Sequence, residues 1–267
     1  MSRQNYYAGR KRRVRKKVAG DLVADLVRQE RQWHPRIGGR KLHKRLQPAL
    51  AEAGIEMGRD RLFAELRERD LLVPRLPRQW PQTTRYNLSL PVFHNEIKDL
   101  EVSRANDVWV ADLTYVRTDE GFLFLSLITD KCSRKIVGHT LAETLATSGP
   151  LEALEMALAE LPAGAKPIHH SDRGCQYASH EYVGRLQLSG LLISMTEQDH
   201  CAENAMAERV NGILKQEYGI GSGFKTKAQA RKAVRQAVYL YNNCRLHTAL
   251  NYQVPELVHR RGMVQNN

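Results

Sequence analysis

Apolar residues change their spacing twice along the chain. Over 21–33 (DLVADLVRQERQW), Leu22, Val23, Leu26 and Val27 fall on one side of a helix, and Asp21 supplies a start signal. Pro35 and the glycines at 38 and 39 break that helix. A second is predicted from Arg40 to Ala53, where Leu42, Leu46 and Leu50 recur every four residues and Gly54 closes the run. A third covers 59–70, with Leu62, Phe63 and Leu66 inward. Three short helices, tight turns and basic outer faces predict an all-α helix-turn-helix DNA-binding domain over 1–75, a pattern that a purely structural bundle shares. Pro74, Pro77 and Pro81 then resist both helix and sheet, which predicts a Pro-rich linker over 76–101. Beyond it the period shortens to that of strands: Val108–Val116, Phe122–Thr129 and Lys135–Leu141, joined by polar turns. A helix over Ser148–Leu161, a strand into Pro167–His170, a helix over Ser179–Leu188, a strand over Leu191–Met195 and a helix over Glu203–Tyr218 follow. Strands as a meander, then alternating with helices, predict an α/β domain over 102–262: a mixed five-stranded sheet with flanking helices and a C-terminal helical segment.

Charge separates the two parts. The 267 residues carry a net charge of +12, and residues 1–100 hold 23 basic against 11 acidic side chains, while residues 101–267 hold 18 of each. The first part suits a polyanion; the second keeps its carboxylates for another purpose. The densest run, Arg10, Lys11, Arg12, Arg13, Arg15, Lys16 and Lys17, is read either as a solvated, poorly ordered start or as an arm on DNA phosphates. No stretch reaches membrane-helix length, and Cys132, Cys175, Cys201 and Cys244 are scattered without zinc or disulfide spacing. A cytoplasmic protein with no membrane role, nucleoid-associated when bound to DNA, is the expectation.

Three carboxylates stand out. Asp112 lies inside the first strand, in VWVADLTYV, where an ionisable group is either a hydrogen-bond acceptor or a metal ligand. Asp172 follows His169 and His170 at the C-terminal end of a strand, in HHSDRGCQY, a position where α/β sheets place chemistry. Glu208 sits on a helix whose wheel gathers Met206, Val210, Ile213 and Leu214 on one side and sets Glu208, Asn211 and Lys215 opposite, the arrangement of a solvated face. Together the three acids would repel unless divalent metal joined them, and hard oxygen ligands suit two Mg²⁺ or Mn²⁺ ions for phosphoryl transfer.

WVADLTYV, HHSDRGCQY and ENAMAERVNGILKQE resemble the three catalytic blocks of the DDE transposase and retroviral integrase superfamily, and Asp172 and Glu208 enclose 35 residues, the interval of its DD(35)E signature. Within it, the chain is most similar to insertion-sequence transposases of the IS-three type, second-frame product OrfB. HPRIGGRKLHKRL resembles their helix-turn-helix segment and YNNCRLHTALNYQVPELV their closing block. The resemblance implies an RNase H-like core, Asp112, Asp172 and Glu208 as catalytic ligands of two Mg²⁺ ions, cleavage of DNA at element ends and transfer of the freed 3′-hydroxyl. It implies double-stranded DNA as partner, like copies assembled on it, and a first-frame OrfA partner; a non-catalytic DNA-binding subunit that needs that partner is the alternative. Cys175, Glu203 and Leu246 depart from the family pattern, where serine, aspartate and proline are usual.

Around this triad, His170 is read as orienting the site or as packing, and Asn204 as a neighbour of Glu208 on its helix. Besides the basic run, Arg40, Lys41, Lys44, Arg45, Arg209 and Lys215 are candidate DNA contacts. Tyr241, Asn242, Arg245 and His247 either touch DNA or cap the core.

Overall fold

The structure, a computed structural model, describes residues 3–74, 90–197 and 203–264. The chain divides into two compact units, Met1–Pro77 and Arg78–Asn267. Most of the proline-rich stretch, 75–89, lies outside the described residues. Among those described, no helix is long and apolar enough to cross a membrane.

The first unit holds α1 (Arg3–Trp33), α2 (Gly39–Glu52) and α3 (Arg59–Glu68). Their apolar stripes meet in one core of Val23, Val27, Leu42, Leu46, Leu50, Leu62 and Leu66, all chosen by the helical spacing, joined by Ile37 and Met57 from the connecting turns, while Leu22, Leu26 and Phe63 are only partly buried. One expectation is corrected. α1 begins at Arg3 rather than near Asp21 and carries the basic run within it. Residues 3–20 lack an apolar stripe but also lack proline, and arginine, lysine, glutamine and alanine propagate a helix on backbone propensity alone.

The second unit is built on β1 (Val108–Thr118), β2 (Gly121–Asp130), β3 (Ile136–Ala142), β4 (Ile168–Ser171) and β5 (Leu192–Met195), in the order β3-β2-β1-β4-β5. β1, β2 and β3 pair antiparallel; β4 pairs parallel to β1 and to β5. Alternation of side chains decides the layers. Trp109, Ala111 and Ile128 turn to one face, under α4 (Ser148–Ala159) and α5 (His180–Leu188). Val116, Leu123, Leu125 and Leu127 turn to the other, under α6 (Ala205–Glu217) and α7 (Lys227–Asn243). The mixed five-stranded sheet between helices is therefore as the sequence pattern predicts.

Two stretches behave differently from their composition. Residues 90–101, read as linker, run along the core: Leu90 and Phe93 pack on the α4–α5 side, and Ile97 is buried with Val108, Val110 and Ala207. The closing block is tied inward. Asn242 exchanges hydrogen bonds of 2.9 Å with both the N–H and the carbonyl of Ile136, and the buried Arg245 forks onto Glu217 at 2.9 and 3.0 Å. Tyr241 is buried as well. Of the two readings of this block, capping of the core is the one these three residues follow. The last helix, α8 (Pro255–Val264), is held by Glu256 on Lys135 at 3.0 Å and by His259 Nδ1 at 2.9 Å from Ser133 Oγ, which itself donates to buried Asp130.

Candidate active site

Parallel pairing brings two of the acids to one sheet end. Val110 stands opposite His170 in the β1–β4 register, so Asp112 and Asp172, two residues beyond each, leave neighbouring strands on the same side. Asp112 is half-buried, and both oxygens are held: Oδ1 accepts the Leu113 N–H at 2.9 Å and Oδ2 accepts Asn211 Nδ2 at 2.7 Å. Asp172 Oδ1 accepts the Gly174 N–H at 3.0 Å, closing the small turn that follows β4. Glu208 is exposed in the first turn of α6, next to Ala207, which is buried against Val108 and Val110.

Burial pushes the Asp112 carboxyl up to about 7, the charge of Asp172 pushes it further, and Glu208 adds to the push; the bonds from Asn211 and Leu113 oppose it. Among the described residues no group of three or more His, Cys, Asp or Glu side chains stands close enough together to hold a metal ion as placed. Like charges keep such carboxylates apart until a cation offsets them.

The wheel of α6 is corrected here. Asn211 is buried and bonded to Asp112, and Lys215 donates to Thr114 Oγ1 at 2.5 Å with its ammonium 4.5 Å from the Tyr115 ring centre. Asn211 and Lys215 thus lie over β1 rather than on a solvated face, while Glu208 is exposed. A wheel separates apolar from polar sides, and it carries no sign of a polar strand residue beneath. Asn204, just before α6, is buried and donates Nδ2 to the Ala111 carbonyl at 3.1 Å, tying the helix start to β1 beside Asp112. Replacing Asn211 by Leu removes the neutral donor on Asp112 Oδ2. We expect Mn²⁺ affinity to fall by about 10- to 100-fold with little change in melting temperature, as checked by calorimetric Mn²⁺ titration beside a thermal melt.

His170 and His169 are both fully buried and face opposite ways. His169 Nε2 lies 3.0 Å from the Tyr182 hydroxyl within the α5-side core, and burial lowers its pKa to about 3. His170 shares the Asp112 face, with Nδ1 2.8 Å from Ser194 Oγ, and burial followed by the nearby Lys131 holds it at about 4, neutral at ordinary pH. Tyr177, five residues past Asp172, was passed over by sequence reasoning. It is buried, and burial, then Tyr182, Asp112 and Asp172, raise its hydroxyl pKa well above the usual value. Its only sequence signal is its place as the aromatic that closes HHSDRGCQY.

The candidate DNA contacts divide. Arg10, Lys17, Arg40, Lys44 and Arg209 are exposed; Lys41 is buried; Arg45 is ion-paired with Glu30; Lys215 is engaged on β1. The side chains of Lys11, Arg12, Arg13, Arg15 and Lys16 lie outside the described residues.

The chain is similar to known proteins. Two family descriptions, each of an integrase core domain, match residues 102–201 and 189–255. The insertion element IS600 31 kDa protein of Shigella sonnei, itself uncharacterized, is 40% identical over 209 residues, which are 78% of this chain and 76% of that protein. Transposase InsF of insertion sequence IS3A from Escherichia coli K12 is 35% identical over 156 residues, 58% of this chain and 53% of InsF, so the match spans about half of that relative. A chain in the structure of the simian T-cell lymphotropic virus intasome in complex with PP2A regulatory subunit B56 gamma superposes with a TM-score of 0.51 at 18% identity, over 83% of this chain and 74% of its own, a likeness of fold.

Proposed function

We propose metal-dependent DNA cleavage and strand joining as the chemistry, from the premise that the chain belongs to the insertion-sequence transposases with an integrase core, the IS-three type of the DDE superfamily. The observation that carries it is the charge conflict at Asp112. A carboxyl pushed up to about 7 by burial and by two further acids is a site whose ionised form needs a cation. The donors fit hard divalent ions, since all three are carboxylates and no Cys or His competes within the trio, while the nearby Lys215 ammonium is engaged on Thr114. Asp112, Asp172 and Glu208 would hold the ions. When bound, two Mg²⁺ or Mn²⁺ supply charge neutralisation for the attacking and leaving oxygens.

The protein's own groups do the rest. Asn211 and the Leu113 N–H fix the direction of the Asp112 carboxylate, and neutral His170 braces the β4 end against β5 through Ser194. Atoms balance in two phosphoryl transfers. Water attacks the phosphodiester at the element end and a 3′-oxygen leaves; the freed 3′-hydroxyl then attacks a target phosphodiester, whose 3′-oxygen leaves in turn. The test is joining of a duplex carrying the terminal repeat of the element that encodes this chain: products form with Mg²⁺ and none form with EDTA. Assembly of like copies on DNA and a first-frame OrfA partner belong to the same reading, and the mass of the protein–DNA complex with and without that partner checks both.

Double-stranded DNA is the partner that the first unit suits. Between residues 3 and 17 of α1 stand eight Lys and Arg and no acid, and the described side chains Arg3, Arg10, Val14 and Lys17 are exposed. Binding therefore weakens with salt, by about 0.9 in log K per log salt for each phosphate neutralised. Substituting Arg10 and Lys17 together by Ala reduces that slope by about 2, as read from fluorescence titrations between low and physiological salt. An unchanged slope removes α1 as the grip.

A further inference from the structure

Residues 94–97 cross the outer end of β5. The His94 carbonyl accepts the Met195 N–H at 3.2 Å, and the Glu96 N–H donates at 2.9 Å to Ser194 Oγ, the atom that lies 2.8 Å from His170 Nδ1. Between them, Asn95 makes three hydrogen bonds. Its backbone N–H donates to Glu197 Oε1 at 3.0 Å, its Nδ2 donates to Glu203 Oε2 at 3.0 Å, and its Oδ1 accepts the Ile97 N–H at 3.2 Å. Glu203 Oε2 also accepts the Glu197 backbone N–H. Two residues on, Ile97 is buried with Val108, Val110 and Ala207.

The placement matters because the chain leaves β5 at Met195 and enters α6 at Ala205, so Glu197 and Glu203 stand on the two stems of that crossing. Two carboxylates on facing stems repel, and Glu203 acts on Glu197 in that sense. Asn95 offers each a neutral N–H donor, which bonds both without adding charge of either sign. Ile97 meanwhile presses beside Ala207, the residue before Glu208.

We propose that Asn95 is a positioning residue for the joining reaction: by holding Glu197 and Glu203 together it fixes where α6 begins, and with it where Glu208 stands relative to Asp112. The inference rests on the metal-dependent reading above. It also gives Glu203, a departure from the family's aspartate, a purpose of its own, since the longer side chain is the one that meets Asn95.

Exchange of partners tests it. The full chain, Asn95→Asp, Glu203→Gln, the double variant and Glu208→Gln are compared for joining of the terminal-repeat duplex and, without DNA, for Mn²⁺ affinity by calorimetry. Asn95→Asp turns the donor into a second carboxylate facing Glu203. It is expected to lower kcat and weaken Mn²⁺ binding by about 10- to 100-fold while KM for DNA holds. Glu203→Gln alone keeps an acceptor for Asn95 and changes little. The double variant restores an amide-to-carboxylate bond with its polarity reversed and is expected to recover to within about threefold of wild type, the non-additivity of a direct contact. Wild-type kcat and Mn²⁺ affinity in Asn95→Asp, or no recovery in the double variant, overturns the inference. Joining and Mn²⁺ affinity that survive Glu208→Gln overturn instead the reading beneath it. A melting temperature for each variant separates misfolding from misplacement, and recovery in the double variant decides the question even where Asn95→Asp is unstable.

Discussion

Asp112→Asn, Asp172→Asn and Glu208→Gln each abolish strand joining, by about a thousandfold or more, while DNA affinity and folding persist. The size follows from the chemistry: charge neutralisation at a developing phosphoryl transition state contributes several kcal/mol, and each 1.36 kcal/mol is about tenfold in rate. The DNA grip assigned to α1 lies in the other compact unit and carries none of the three acids, so a gel-shift titration should not move. A second readout belongs to Asp112 alone. Its folded pKa, about 7, stands above the ordinary carboxylate value of 3.8, so the folded state binds this proton more tightly than the unfolded chain does. The associated stability is fully present below about pH 4 and is lost as pH rises toward 7. Metal-free Asp112→Asn, which has no charge to bury, should then melt a few degrees higher than wild type at pH 8 and no higher at pH 4. Added Mn²⁺ should reverse the order at pH 8, because wild type gains a ligand that the variant holds poorly. Joining that survives any one substitution removes that residue from the site; equal melting at pH 8 removes the charge conflict.

How far the chain could be read in advance depends on which contacts are local. Val108–Val116 and Phe122–Thr129 are short apolar runs rich in β-branched and aromatic residues, separated by a polar turn with Gly121 at φ +111°, so both strands and their pairing are visible in consecutive residues. Asp112 and Asp172 were legible for the same reason, each standing out against its own strand or strand end. Asn211 was not. Its polarity matched the outer side of α6, and only the acid of β1 beneath it, 99 residues away, makes it an inward donor. The 94–97 crossing was equally hidden, since its partners are Ser194, Met195, Glu197 and Glu203, and polar residues next to a proline-rich stretch read as linker. The long start of α1 was missed for the opposite reason. Its described side chains Arg3, Arg10, Val14 and Lys17 are exposed, so no core imposes a stripe on them, and propensity without periodicity is a weak signal.

The second large effect is on stability and comes from a residue without a side chain. Gly138 lies in β3, under α4, and a Cβ built there would fall 2.0 Å from the Ala153 carbonyl oxygen and 3.1 Å from Ala157 Cβ. Both alanines are fully buried with Val137, Leu154 and Ile128, so the helix rests on the strand backbone itself at this point. The clash is with backbone, which no rotamer relieves; α4 must lift by more than 1 Å, loosening the contacts along its inner face. Gly138→Ala is therefore expected to destabilise the chain by about 3 kcal/mol, near the upper end for overpacking, and to lower the melting temperature by roughly 6–12 °C. Trimming the opposite residue with Ala153→Gly should not rescue it, since the carbonyl oxygen stays. Gly184 in α5 supplies the contrast. Nothing stands within 4 Å of its Cβ position, so Gly184→Ala should stabilise by about 0.5–1 kcal/mol through helix propensity and a less flexible unfolded chain. Urea unfolding of the two variants beside wild type should give shifts of opposite sign, and a tolerated alanine at 138 would mean that α4 does not sit on β3 as closely as the fold requires.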